Sequence, residues 1–229
     1  MKKIIIIPFF LMLLASLLLS CEVMYKYHAP YVPMETSAQK GQTVITTHGG
    51  DDGWGMASSY ALSDHVGVFG HLVSDMNFLD KQAYSFLYMA GAYYYGRISG
   101  DSIQGKIFTL SGGVRSGRQM IPYRKEDYSV EFSIFGYYVN PSIVYHYKRT
   151  DTGIGLRLSY FRFSDTVAQH FIEPVYHFKW GGSRTKIFMQ GGVSFPVEPL
   201  KYSMLIERDY PFFLKVGVEY NLFGKPRKK

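Results

Sequence analysis

The chain has 229 residues, room for one domain, with 25 Lys and Arg against 18 Asp and Glu and a net charge of +7. A single cysteine excludes an intramolecular disulfide and any multi-cysteine metal site. Four of the positive charges lie in the tail at Lys225, Arg227, Lys228 and Lys229, so the basic balance argues for contact with anionic head groups rather than for nucleic acid as a partner.

Met1-Lys2-Lys3 is a short basic start, and Ile4 to Leu19 is free of charge, interrupted by Pro8. That run is shorter than the roughly 18 apolar residues of a spanning helix and has the layout of an export signal. It closes on Leu18-Leu19-Ser20-Cys21, which resembles the lipobox of bacterial lipoproteins. The resemblance implies cleavage before Cys21 and lipid on its thiol and new amino terminus. Two or more acyl chains hold a protein to a bilayer where one does not. Loss of Lys2 and Lys3 with the signal leaves a balance of about +5. The domain plan is therefore signal 1–20, tether 21–40 with Pro30 and Pro33, barrel 41–224 and basic tail 225–229.

Beyond the tether the hydrophobic period is two. Trp54, Met56, Ser58, Tyr60 and Leu62 oppose Gly55, Ala57, Ser59 and Ala61. Ile154, Leu156, Leu158 and Tyr160 oppose Gly155, Arg157, Ser159 and Phe161. In the last strand Phe212, Leu214, Val216, Val218, Tyr220 and Leu222 oppose Phe213, Lys215, Gly217, Glu219, Asn221 and Phe223. Ten strands are predicted, at about 42–49, 53–62, 65–74, 84–97, 105–115, 131–148, 153–163, 169–180, 184–195 and 211–223, with eight to twelve as the range. Several reach the roughly 9–11 residues a membrane-spanning strand needs. Asn140-Pro141 is expected to bulge or break the sixth.

Taken alternately, the connections form two sets. Ser63-Asp64, Ser99 to Gln104, Thr150 to Thr152 and Gly181 to Ser183 are short and rich in Gly, Asp and Ser. The other set includes the long Ser116 to Val130 and Pro196 to Tyr210. Short turns at one end and longer loops at the other are the habit of outer-membrane barrels. A strand with an apolar face in lipid cannot leave its edge N–H and C=O groups unpaired, so the sheet must close. The expected fold is all-β: a single antiparallel transmembrane β-barrel in the outer membrane, both termini at the short-turn end. Trp54, Tyr93 to Tyr95, Tyr137, Tyr138, Tyr160, Trp180, Tyr220 and Phe223 are expected in interfacial girdles. The alternative is a soluble lipid-anchored barrel, with the apolar face turned inward as a core.

The final Val218-Glu219-Tyr220-Asn221-Leu222-Phe223 resembles the C-terminal signal read by the barrel-assembly machinery, though six residues follow Phe223. Tyr31-Val32-Pro33, Lys40-Gly41 and Ser59-Tyr60-Ala61-Leu62-Ser63-Asp64-His65-Val66-Gly67-Val68, together with Asn140-Pro141-Ser142-Ile143 and Arg157-Leu158-Ser159-Tyr160, resemble a group of bacterial outer-membrane β-barrel lipoproteins. That resemblance implies fold and location. It implies no activity, ligand or cofactor.

On the expected inner face Arg157, Ser159, Glu173, His177, Lys215 and Glu219 form a candidate polar network, with Lys179, Lys186 and Gln190 beside it. Buried charges must be paired, so such a network is expected even without a ligand. A narrow polar channel or small-anion site is the rival use. A Ser159–His177–Glu173 triad is a remoter one, and no G-x-S-x-G motif supports it. The seven histidines, His28, His48, His65, His71, His146, His170 and His177, contain no H-E-x-x-H pattern. His65 and His71 lie about 20 Å apart along a strand, too far to share a metal. Asp51-Asp52 between glycines lacks the ligand spacing of a calcium loop and reads as a hairpin turn. Gly112-Gly113 and Gly191-Gly192 read as strand glycines rather than phosphate loops. No catalytic residue, metal or cofactor is assigned. The Ser116–Val130 stretch, with Tyr123, Arg124, Lys125, Glu126, Asp127 and Tyr128, is expected to face outward, where a glycan or protein could meet it. The expected role is non-enzymatic, structural or surface-binding.

Overall fold

A computed structural model describes residues 40–50, 53–76, 84–100, 104–122, 129–163, 167–197 and 212–222. The signal, Cys21, the tether up to residue 39, Phe223 and the basic tail lie outside them. The described residues contain no helix long and apolar enough to cross a membrane.

The described chain is a run of antiparallel strands: β1 (Thr43–Gly50), β2 (Gly53–Ala61), β3 (Val66–Met76), β4 (Tyr84–Gly100), β5 (Gln104–Pro122), β6 (Ser129–Tyr147), β7 (Thr150–Phe163) and β8 (Val167–Gly181). They are followed by β9 (Thr185–Val193, resumed at Phe195–Pro196 after Ser194) and β10 (Phe212–Asn221). Each strand pairs with the next, both segments of β9 pair with β8, and β10 pairs with β1 from Val44↔Asn221 to Gly50↔Lys215. The sheet is thus a closed ten-stranded barrel without a free edge, as the alternation and connection parity required.

The alternation sorts the two faces. Trp54, Ile154, Ile187, Val216 and Val218 are exposed on the outside. Arg157, Glu173, His177, Lys179 and Lys215 are at most 1% exposed on the inside. An apolar exterior around a charged interior is the reverse of a soluble barrel and removes the reading in which the apolar stripe forms the core.

The interior is filled. Ala61, Phe69, Met89, Tyr93, Tyr95, Ile107 and Tyr138 pack as one cluster, and Val73, Leu87, Ile134 and Phe161 as a second. Inward glycines make room for these rings. A Cβ on Gly91 would lie 2.5 Å from Phe69 Cζ, and one on Gly192 would lie 2.5 Å from Phe213 Cζ. Gly192, read from sequence as a strand glycine, lies against the Phe213 ring of the neighbouring strand and against the Pro174 carbonyl. Gly100 and Gly181 turn the chain at positive φ, 90° and 153°, where a Cβ would strike backbone.

Four expectations change. Tyr93, Tyr95 and Tyr138 face inward, so of those tyrosine runs only Tyr94 and Tyr137 can serve a girdle. The sixth strand neither bulges nor breaks. Its ladder to β7 passes from Val139↔Leu158 to Ser142↔Gly155 with no partners at Asn140 and Pro141 but no change of register. Proline has no N–H to give that ladder, while the ladder to β5 continues through Leu110↔Pro141. Ser116–Pro122 is strand rather than loop, paired from Ser116↔Phe135 to Pro122↔Ser129. Its polar Gln119 is simply an inner-face residue. Thr150 to Thr152 also belong to strand, since the β6–β7 turn is only Lys148-Arg149.

Candidate functional site

The charged part of the interior lies on β7 to β10. Two layers of it are resolved by their partners.

The deeper layer centres on Glu173. Arg157 Nε donates to its Oε2 at 2.6 Å, and Ser159 Oγ donates to the same oxygen at 2.6 Å. Ser194 Oγ donates to Oε1 at 2.5 Å. The β7–β8 register sets Arg157 directly opposite Glu173, and the interruption of β9 at Ser194 brings the third donor. The Arg157 guanidinium also stands 4.9 Å above the Phe213 ring. A carboxylate holding three charge-stabilising donors is fully engaged, which is the condition for burying it.

The second layer lies nearer the short-turn end. Lys186 Nζ on β9 donates to Asp151 Oδ2 on β7 at 2.6 Å, and His146 on β6 bonds the other oxygen. Lys179 on β8 donates to Glu219 on β10. Each bridge passes over one strand, so the two interlace: β7 to β9, and β8 to β10. Register places Asp151 opposite Lys179 and Lys186 opposite Glu219, and between the middle strands the two pairs are offset by two residues, Lys179 facing Phe188 and Lys186 facing Gly181. Neither bridge can open without disturbing the other's neighbours.

Of the six residues expected in the network, Arg157, Ser159 and Glu173 form one bonded group. Glu219 joins the other through Lys179. Lys215 is buried opposite Gln190 in the β9–β10 register. His177 is fully buried, but both its ring nitrogens lack a hydrogen-bond partner among the described residues, and it stacks near Phe188 at 12° and 6.5 Å. The Ser159–His177–Glu173 triad is therefore not assembled: Ser159 is committed to Glu173 and nothing orients His177 as a base.

Asp151 and His146 also belong to the network; a turn at 150–152 hides Asp151 from the sequence, and with it the partner of His146 on the sixth strand. A second missed feature is His48 and His71. Their Nε2 atoms are 2.7 Å apart, so one imidazole donates to the other. They come from β1 and β3 and meet over the intervening Gly55, whose absent Cβ would lie 2.9 Å from His71 Nε2. His71 thus pairs across the sheet and not with His65, whose Nδ1 meets the Tyr95 carbonyl at 3.2 Å. Among the described residues no three His, Cys, Asp or Glu side chains gather as a metal site.

The remaining interior charge, Arg115 on β5, is covered by the Phe161 ring at 3.2 Å. From Asp151 and Lys179 near one end to Phe161 and Gln119 towards the other, the interior is filled with buried side chains, and the most open member of the ion-pair network, Lys186, has 15% of its side chain exposed. Chemically the arrangement is a scaffold of mutually neutralised charges. Among the described residues it presents no nucleophile paired with a base.

No protein-family model matches the chain, and no curated protein matches it. Among solved structures it is similar to the outer membrane protease OmpT of Escherichia coli, at 6% identity over 82% of this chain and 99% of that one, with a TM-score of 0.45. A likeness so distant carries nothing about activity, and the barrel stands on its own strand pairings.

Proposed function

We propose that the chain is an integral outer-membrane barrel, tethered in addition by lipid at Cys21, with a sealed interior and a non-enzymatic structural or surface-binding role. The observation that carries this reading is the inside-out distribution of polarity: exposed Leu, Val, Ile, Trp and Tyr around the whole barrel, with ion pairs within. In water such an exterior would aggregate; in hydrocarbon it is the solvated face, and the closed ladder leaves no unpaired backbone at lipid. Interlocked Arg157–Glu173 and Lys179–Glu219 bridges weigh against the narrow-channel alternative, because solute passage would require their rupture.

The test uses a Cys21→Ala chain, which cannot be acylated. It should remain in the membrane fraction after a urea wash, and vesicles holding it should retain entrapped sucrose. Release into the soluble fraction would overturn the integral assignment. Retention with rapid sucrose leakage would favour the channel instead.

A further inference from the structure

We infer that the short-turn rim of the barrel is a docking surface for anionic phospholipid head groups. The inference rests on the membrane-spanning reading and adds the lipid chemistry of one leaflet to it. Exposed charge among the described residues is unevenly shared between the two rims. The short-turn rim carries Lys40, Arg97, Lys106, Lys148, Arg149 and Arg184 against the single exposed acid Asp64. None of those six cations makes an ion pair among the described residues. At the opposite rim the exposed charges are Arg118, Arg162 and Glu131, and Arg118 is already paired with Glu131 at 3.2 Å. The connections that join the strands at that end carry mixed charge in sequence, nine Asp and Glu against the five bases Lys81, Arg124, Lys125, Lys201 and Arg208.

The cations are also placed at a defined height. Lys106 Nζ stands 5.4 Å from the centre of the Tyr145 ring, and Lys148 Nζ stands 5.2 Å from that of Tyr147. Both rings are exposed on the outer wall, and Trp180 and Tyr94 continue the same belt. Tyrosine and tryptophan on a barrel exterior settle at head-group level, so an ammonium resting on such a ring meets lipid phosphates rather than open water. Lys148 holds its place at the turn with a positive φ of 51°. The attraction of such cations to an anionic surface falls away within a Debye length, roughly 10 Å at 0.1 M salt. Cations crowded at one rim, without an ion pair among the described residues and backed by interfacial rings, fit phosphatidylglycerol-type head groups. The basic tail after residue 224 and the Cys21 tether join the barrel at this same rim in sequence.

The two tryptophans report the two rims. Trp180 sits opposite Thr150, beside the Lys148-Arg149 turn, and Trp54 lies at the other end of the barrel. The Cys21→Ala chain, as Trp54→Phe or Trp180→Phe, is folded into phosphatidylcholine vesicles containing a minor share of phosphatidylglycerol. The same share of either lipid is brominated. Trp180 should be quenched more by brominated phosphatidylglycerol than by brominated phosphatidylcholine, by a factor on the order of two, and Trp54 equally by both. Molar salt, or the combined K106Q, K148Q, R149Q and R184Q changes, should abolish the Trp180 preference. Equal quenching of Trp180 by the two lipids would overturn the inference and leave the membrane reading intact. Absence of quenching of either tryptophan by either lipid would instead overturn the membrane reading itself.

Discussion

The two sides of the barrel interior are filled by different means. On β2 to β6 the filling is aromatic and aliphatic, with Phe69, Tyr93, Tyr95, Leu87 and Ile134, and its one charged side chain among these, Arg115, lies under a phenyl ring. On β7 to β10 it is ionic, with Asp151, Arg157, Glu173, Lys179, Lys186 and Glu219 laced across the strands. Both sides exclude solvent, but they differ in how they fail. An aromatic cluster loses stability in proportion to the volume removed. An ion-pair network loses little when both partners become apolar and much when one is removed, because the survivor is left charged and buried.

The largest expected effect follows from that difference. Glu173→Ala should destabilise the folded barrel by about 3–5 kcal/mol in urea titrations, since Arg157 loses its counter-charge in a dry site. The double change Arg157→Met with Glu173→Leu should recover most of the loss. Equal damage from the single and double variants would break the comparison. Ser159→Ala, which removes one donor to the same carboxylate, should cost about 1.5–3 kcal/mol by the same titration. On the aromatic side, Gly91→Val tests filling from the other direction: the added Cβ meets the Gly112 carbonyl oxygen as well as Phe69, and overpacking should cost at least about 1–3 kcal/mol. The smallest effect should come from Arg118→Ala. Its pair with Glu131 is 72% and 43% exposed, so its loss should shift the midpoint by about 0–1 kcal/mol. A loss as large as that of Glu173→Ala would mean that burial is not what makes the interior pairs matter.

The sequence carried the barrel because the polarity pattern of period two runs unbroken through strands such as 212–221, whose faces came out as read. Connection parity then fixed closure with both barrel ends of the chain at one rim. What misled the reading was treating polarity as an interruption. Ser116-Gly117-Arg118-Gln119 looks like a loop because polar residues fall on both faces there, Arg118 exposed outside and Gln119 buried inside, yet the strand runs on to Pro122. Tyr93-Tyr94-Tyr95 shows the same difficulty in aromatic form. Composition places all three together, whereas the parity running from Ser85, Leu87 and Met89 sends the first and third inside.

The candidate network was legible in part, through Arg157, Ser159, Glu173 and Glu219, but Asp151 and His146 were not, and its bonds less still. Arg157 and Glu173 are register partners, so they could be anticipated once two strands were aligned. Lys179–Glu219, Asp151–Lys186 and His48–His71 each cross over an intervening strand. Such contacts depend on side-chain length and on what the middle strand leaves open, as Gly55 does for the two histidines. No spacing within one strand reports that.

The central claim is that this barrel is solvated by lipid outside and sealed by its own side chains inside. Its most direct test is the gel mobility of the Cys21→Ala membrane fraction, boiled against unboiled. The account predicts a compact, faster-migrating unboiled band that boiling converts to the full-length position. Identical mobility before and after boiling, with the protein released to the soluble fraction, would contradict it.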